Sequence, residues 1–209
     1  LNVNAADGDG QTALRLAVGR GYAETVVALL AYPGLNVNAA DGDGQAALML
    51  AVDEGHAEMV MALLAYPGLD VNVAAQNGRT VLMLVVDAGH AETVMALLAY
   101  PGLDVNAADR DGWTALMKAA NTGHTEMFTA LLAAPDLDVN AAARNGRTVL
   151  MQAAIGGHAE MVTALLAYAG LNVNAATANG WTALMLAVGG GHAETVTALL
   201  AAPGLNVNA

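Results

Sequence analysis

The 209-residue chain carries seven Lys and Arg against nineteen Asp and Glu, a net charge of −12. That balance argues against a nucleic-acid partner, because neutralising phosphates is the main electrostatic term in such binding. No cysteine is present, so there is neither a disulfide framework nor a thiolate site, as suits a reducing compartment, cytoplasm or nucleus. Mean hydropathy is positive and 56% of residues are hydrophobic, but much of this is Ala. Gly, Asn or a charge interrupts every apolar run well short of the ~20 residues that a spanning helix needs, and the N-terminus lacks the basic and apolar regions of a signal peptide.

The chain repeats itself every 34 residues: Leu1, Leu35, Leu69, Leu103, Leu137, Leu171 and Leu205 superimpose, each followed by Asn or Asp, then Val, then Asn. Six repeats (1–34, 35–68, 69–102, 103–136, 137–170 and 171–204) and a partial seventh (205–209) form a single array, residues 1–209. A period of this length is the signature of stacked repeats, in which each unit contacts its neighbours. The chain starts and stops at one phase of the repeat and has no initiating Met, as expected of a piece of a longer array or of an engineered protein.

Within each repeat the elements follow in a fixed order. The opening segment, LNVNAADGDG at Leu35, combines an extended Asn-Val-Asn with a Gly- and Asp-rich turn and predicts a hairpin-like loop. Thr12, Thr80, Thr114, Thr148 and Thr182 then stand where a hydroxyl can cap a first helix, which in the second repeat places Leu48, Ala51 and Val52 on one face and ends near Gly55. His56, Ala57 and Glu58 lead into a second helix with Val60, Leu63 and Leu64 on one face, an acid in its first turn and Pro67-Gly68 as its stop. Neither helix reaches the ~12 residues at which an isolated helix becomes marginally stable. Each must therefore bury its apolar face against adjacent repeats.

This order, with D-x-x-G-x-T-A-L, as in DRDGWTAL from Asp109, with G-H-x-E, as in GHAEMV from Gly55 and Gly157, and with L-L…V-N, resembles the ankyrin repeat family over the whole chain. The resemblance implies an all-α fold, an ankyrin-like solenoid of stacked helix-turn-helix repeats joined by β-hairpin-like loops. It also implies protein binding through the concave face of hairpin tips and first helices. Two features depart from the family pattern. The Pro-Leu-His that usually follows the Thr is Ala-Leu or Val-Leu followed by Met, or by Arg15 in the first repeat, and the second-helix exit is one residue longer. The first and last repeats also lack the polar outer face that usually caps such arrays, Val196, Leu199 and Leu200 being as apolar as their internal counterparts.

The in-phase residues read as structure. His56, His90, His124, His158 and His192 recur once per repeat, too far apart to share a metal ion if stacked helices lie ~8–10 Å apart. They are expected to cap the second helix and link to the adjacent loop, with Tyr22 in their place in the first repeat. Asp7 and Asp9, Asp41 and Asp43, and Asp109 and Asp111 lack the later acidic ligand of a calcium loop and read as turn chemistry. Met49, Met83, Met117, Met151 and Met185 read as core, and Tyr32, Tyr66, Tyr100 and Tyr168 as packing residues with wet hydroxyls. No nucleophile with a base, no paired carboxylates and no phosphate cradle are present, so neither an enzyme, a cofactor nor a metal site is expected.

Function is therefore sought where the copies disagree. The most variable hairpin phase holds Gln11, Gln45, Arg79, Trp113, Arg147 and Trp181, with Gln76, Arg110 and Arg144 beside it and Lys118, Asn121, Gln152 and Ile155 on the first helices. Trp and Arg are enriched at interface hot spots. Arg79, Arg110, Trp113, Lys118, Arg144, Arg147, Gln152, Ile155 and Trp181 thus make up the candidate partner-binding set, and its basic character points to an acidic or aromatic protein partner, with no nucleic acid and no membrane. Two alternatives stand beside this: end-to-end self-association through uncapped ends, and an engineered or consensus-like scaffold without a natural ligand. The repeat from Leu103 to Asp136 departs most from its siblings, at Lys118, Asn121, Thr122, Thr125, Phe128, Ala134 and Asp136. Phe128 and Asp136 are expected to strain packing and the turn, respectively.

Overall fold

A computed structural model describes residues 2–207. Among these, twelve short helices run in pairs: α1 (Ala13–Gly19) and α2 (Ala23–Leu30), α3 (Ala47–Asp53) and α4 (Ala57–Leu64), α5 (Val81–Ala88) and α6 (Ala91–Leu98), α7 (Ala115–Thr122) and α8 (Thr125–Leu132), α9 (Val149–Gly156) and α10 (Ala159–Leu166), and α11 (Ala183–Gly189) and α12 (Ala193–Leu200). The chain falls into two compact units, Leu1–Asp104 and Val105–Ala209. In the first, α1, α3 and α5 pack side by side, with α2, α4 and α6 forming a second row; in the second, α7, α9 and α11 and then α8, α10 and α12 do the same. The expected hairpins are present as single antiparallel bridges, from Ala6 with Thr12 to Ala176 with Thr182.

The helices begin and end for local reasons. Thr12, Thr80, Thr114 and Thr182 accept a hydrogen bond from the amide three residues on, so the predicted caps hold at four of five positions. Thr148 is the exception: it makes no cap bond and its hydroxyl is buried without a partner. The hairpin turn holds Gly112 at φ +80°, where a Cβ would stand 2.9 Å from Ala143 Cα, so both backbone conformation and close approach call for glycine. At the helix-pair exit, five repeats place Gly at positive φ and the fourth places Asp136 at φ 57°, the one such non-glycine among the described residues. The expected turn strain is therefore visible. Phe128, where the other repeats have Val, is wholly enclosed in the core.

Stacking explains the in-phase residues, with two corrections. None of the five histidines caps its helix with its side chain. Instead, the rings of His56, His158 and His192 pack beneath the glycine turn of the preceding repeat: a Cβ on Gly123 would lie 2.8 Å from His158 Cε1, and His192 Nε2 donates to Ile155 O at 2.9 Å. The expected link between repeats thus exists without the cap. The tyrosine hydroxyls are not simply wet either. Those of Tyr66, Tyr100 and Tyr168 donate to the carbonyls of Leu35, Leu69 and Leu137 at 3.3, 3.3 and 3.5 Å.

A third device goes beyond these expectations. In the six full repeats the second Asn of the Asn-Val-Asn or Asp-Val-Asn bridges two backbone groups around the next turn, as when Asn38 Nδ2 donates to Gly68 O at 2.9 Å and its Oδ1 accepts from Asp70 N at 2.8 Å. Asn140 repeats this with Gly170 O and Asn172 N at 2.8 Å each. These bonds tie one repeat to the next from the loops, not from the position after the first-helix Leu, where the family pattern has a histidine. At that position Met49, Met83, Met117 and Met151 are buried core, whereas Met185 is 41% exposed, since no helix pair lies beyond α11 and α12 among the described residues. The terminal repeats do expose apolar residues: Leu16 and Tyr22 at one end, Val188 and Leu200 at the other.

Candidate protein-binding surface

Three hairpin-tip residues lean on the end of their own first helix, eight positions later. Gln45 Nε2 donates to Asp53 Oδ2 at 3.0 Å, Arg79 is ion-paired with Asp87, and the Trp181 ring lies over Gly189, whose Cβ, if present, would be 3.7 Å from Cζ3. In these three repeats the tip and the first-helix end form one surface, although the helix ends change character between units. In the first unit the partners are Asp53 and Asp87; in the second Trp181 meets Gly189, and the equivalent helix-end positions are Asn121 and Ile155.

That change sorts the predicted basic patch. Arg79 is half-buried and neutralised by Asp87, so its charge is spent within its own repeat. It also faces Asp53, whose carboxyl is pushed up by burial and by Glu54, against the opposing pull of Arg79 and Gln45. Arg15, buried at the methionine phase, is likewise ion-paired, its guanidinium 2.6 Å from Asp41 Oδ2, although its Nε is buried without a hydrogen-bond partner. Burial alone would raise the Asp41 carboxyl, but hydrogen bonds from the Gln45 amide, Arg15 and the Asp43 amide outweigh it and hold it low.

In the second unit Arg110 and Arg144 are exposed and Arg147 half-buried, and none of these three guanidiniums makes an ion pair or hydrogen bond among the described residues. Lys118 stands differently, with Nζ 5.9 Å above the Trp113 ring and 3.8 Å from Asp109 Oδ2, a cation–π and ionic arrangement that props the half-buried Trp113. Trp181 is 49% exposed. With Asn145, Arg147, Thr177, Asn179 and Leu186 it lines an open groove of about 300 Å³ between the fifth and sixth hairpins.

Gln152 requires a correction. It is 1% exposed, and its Nε2 is buried without a hydrogen-bond partner, so it sits beneath the surface rather than on it. Its phase is Leu in four repeats, and one of these, Leu84, is buried core as well, so variation at this phase did not signal exposure. Ile155 is half-buried and its carbonyl is taken by His192. The Asp-rich turns are occupied by local bonds: Asp41 Oδ1 accepts from the Asp43 and Gln45 amides at 2.9 Å each, and Asp109 Oδ1 from Asp111 and Trp113 at 3.0 and 2.9 Å.

The repeat geometry agrees with the comparison against known families, in which the description "Ankyrin repeats (3 copies)" matches residues 1–75, 63–143 and 136–209. The chain belongs to the ankyrin repeat family. Ankyrin structures resemble it along nearly its full length: the ankyrin repeat protein EF0377 (24% identity, TM-score 0.84, 97% of this chain and 100% of that one), the ankyrin repeat domain of Bcl-3, a member of the IkappaB protein family (31%, 0.81, 95% and 88%), and an ankyrin repeat domain from Acinetobacter baumannii AYE (30%, 0.80, 90% and 96%). A comparison with curated protein sequences finds no match. Ankyrin repeats typically serve as protein–protein interaction modules rather than as enzymes. No described helix is long and apolar enough to cross a membrane.

Proposed function

We propose that this ankyrin array is a protein-recognition scaffold whose binding surface is the hairpin-tip row of its second unit, centred on Trp113, Arg147 and Trp181 and flanked by Arg110 and Arg144. The observation that carries this reading is the pairing of a half-exposed Trp181 with an Arg147 that has no internal counter-ion, on one groove. Exposed Trp and unpaired Arg are the types that anchor interfaces. They call for an acidic segment that carries an aromatic or large apolar side chain. Lys118 supports Trp113 from within, and Arg79 and Gln152 stand outside the contact set.

Peptide display selected on the wild-type chain, and counter-selected on a Trp113→Ala, Arg147→Ala, Trp181→Ala variant, tests this. Enriched peptides should be acidic and aromatic and bind the variant at least about a hundredfold more weakly, the loss of two hot spots. Peptides that bind both proteins equally would overturn the reading. End-to-end self-association is the second reading, and it draws on Val188, 60% exposed although the equivalent residues of the other repeats are buried. Sedimentation that shows mass rising with concentration, and no rise for Val188→Asp, would favour it.

A further inference from the structure

The outer face of the second helices differs between the two units at a single phase. In the first unit this phase holds Val27, Met61 and Met95, on α2, α4 and α6, which are 59, 52 and 55% exposed. In the second it holds Thr129, Thr163 and Thr197, whose hydroxyls donate to the carbonyls of Thr125, Ala159 and Ala193, four residues back, at 2.8, 2.9 and 2.9 Å. The helices are otherwise close copies, and the phase is exposed in both units. Folding therefore does not require an apolar residue there, since Thr serves three times in the same architecture. Single exposed apolar side chains are ordinary, but these three stand in register on helices that pack side by side, α2 on α4 and α4 on α6, and so line up in one apolar row.

The electrostatics around the patch are one-sided. Exposed Glu24, Glu58 and Glu92 lie three residues before Val27, Met61 and Met95, so each carboxylate shares its helix face with one apolar side chain. The first unit holds three cations against twelve carboxylates. Two of those cations, Arg15 and Arg79, are already paired with Asp41 and Asp87.

We infer that the outer faces of α2, α4 and α6 form a second protein-docking surface, separate from the hairpin tips, whose occupant is a basic amphipathic helix. Its apolar stripe lies along Val27, Met61 and Met95, and its Lys or Arg residues meet Glu24, Glu58 and Glu92. Methionine suits such a surface because its unbranched, polarisable side chain adapts to different apolar shapes. Helix-in-face recognition of this kind takes its affinity from buried apolar area and its orientation from charge.

The test uses the full chain and a labelled Leu/Lys amphipathic helical peptide, with a Leu/Glu peptide of the same pattern as control. The key variant is Val27→Thr, Met61→Thr, Met95→Thr, which keeps every charge and installs residues that the second unit already accepts. The Leu/Lys peptide should bind the wild type, shift the methyl resonances of Met61 and Met95, and bind the Thr variant about tenfold or more weakly. The Leu/Glu peptide should not bind. The reciprocal variant, Thr129→Met, Thr163→Met, Thr197→Met, retains Glu126, Glu160 and Glu194 and should gain a second equivalent site. Equal binding by wild type and Thr variant would reduce the effect to net charge and overturn the inference. So would a wild type that dimerises through the patch and a Thr variant that stays monomeric, because the occupant would then be a second copy. The tip variant Trp113→Ala, Arg147→Ala, Trp181→Ala should bind the Leu/Lys peptide as the wild type does, which keeps this surface and the tip surface separately testable.

Discussion

Asp136 and Gln152 are two places where a residue conflicts with its position, and both conflicts have measurable consequences. Asp136 occupies the left-handed region at φ 57°, where its five equivalents are Gly. An L-residue there costs about 1 kcal/mol, so Asp136→Gly should raise stability by up to about that amount, read as a higher urea midpoint with an unchanged slope. The turn bond from Asn106 Nδ2 to the residue 136 carbonyl, 2.7 Å, involves only backbone at that end and should survive. Gln152 places an unpaired amide in the core. Gln152→Leu, the residue of four other repeats, removes that desolvation penalty and should stabilise by about 1–3 kcal/mol. If it lowered stability, the buried amide would have a partner after all. Asp136 was legible as a turn exception because its five equivalents are Gly, whereas only burial showed Gln152 to be a core residue and not a contact.

At the scale of the element, helices of seven or eight residues persist because neighbours cover them. Leu131 in α8 is wholly buried, and Leu131→Ala should cost about 2–5 kcal/mol by lost transfer energy and a residual cavity. An unchanged unfolding midpoint would refute the stacking account. The His158 turn is the pH-sensitive joint. Burial, and then the neighbouring His192 charge, hold the His158 imidazole below its ordinary value. The unfolded chain then takes up a proton that the folded chain resists, so stability should be full above about 6.5 and fall as pH drops through that value toward the lower folded one. Urea midpoints at about pH 7 and about pH 5, with NMR titration of the His158 ring, check the sign. Helix pairs and four Thr caps were legible in the sequence because they depend on neighbours close along the chain. The tyrosine and asparagine ties were not, since each donor finds its acceptor about 30 residues away.

Taken as a whole, the chain distributes its charge and its exposed apolar residues unequally. The first unit combines twelve carboxylates with an apolar outer patch, whereas the second has seven carboxylates, three uncompensated arginines and two tryptophans at its tips. An acidic partner of the tip row should associate more slowly as salt rises, with Arg110→Ala and Arg144→Ala acting mainly on the association rate and Trp181→Ala on dissociation. Stopped-flow kinetics at two ionic strengths separates the two. The repeat, its period, its helix order and the family could all be read from the residues, because near-identical copies state the local pattern six times. Which variable residues face solvent was settled only by the folded chain. Folding buried Gln152, paired Arg79 with Asp87, propped Trp113 on Lys118 and left Arg147 beside Trp181, since burial and pairing depend on how each hairpin folds against its own helix and on which side chains stacking brings together, and the repeat pattern alone does not encode either.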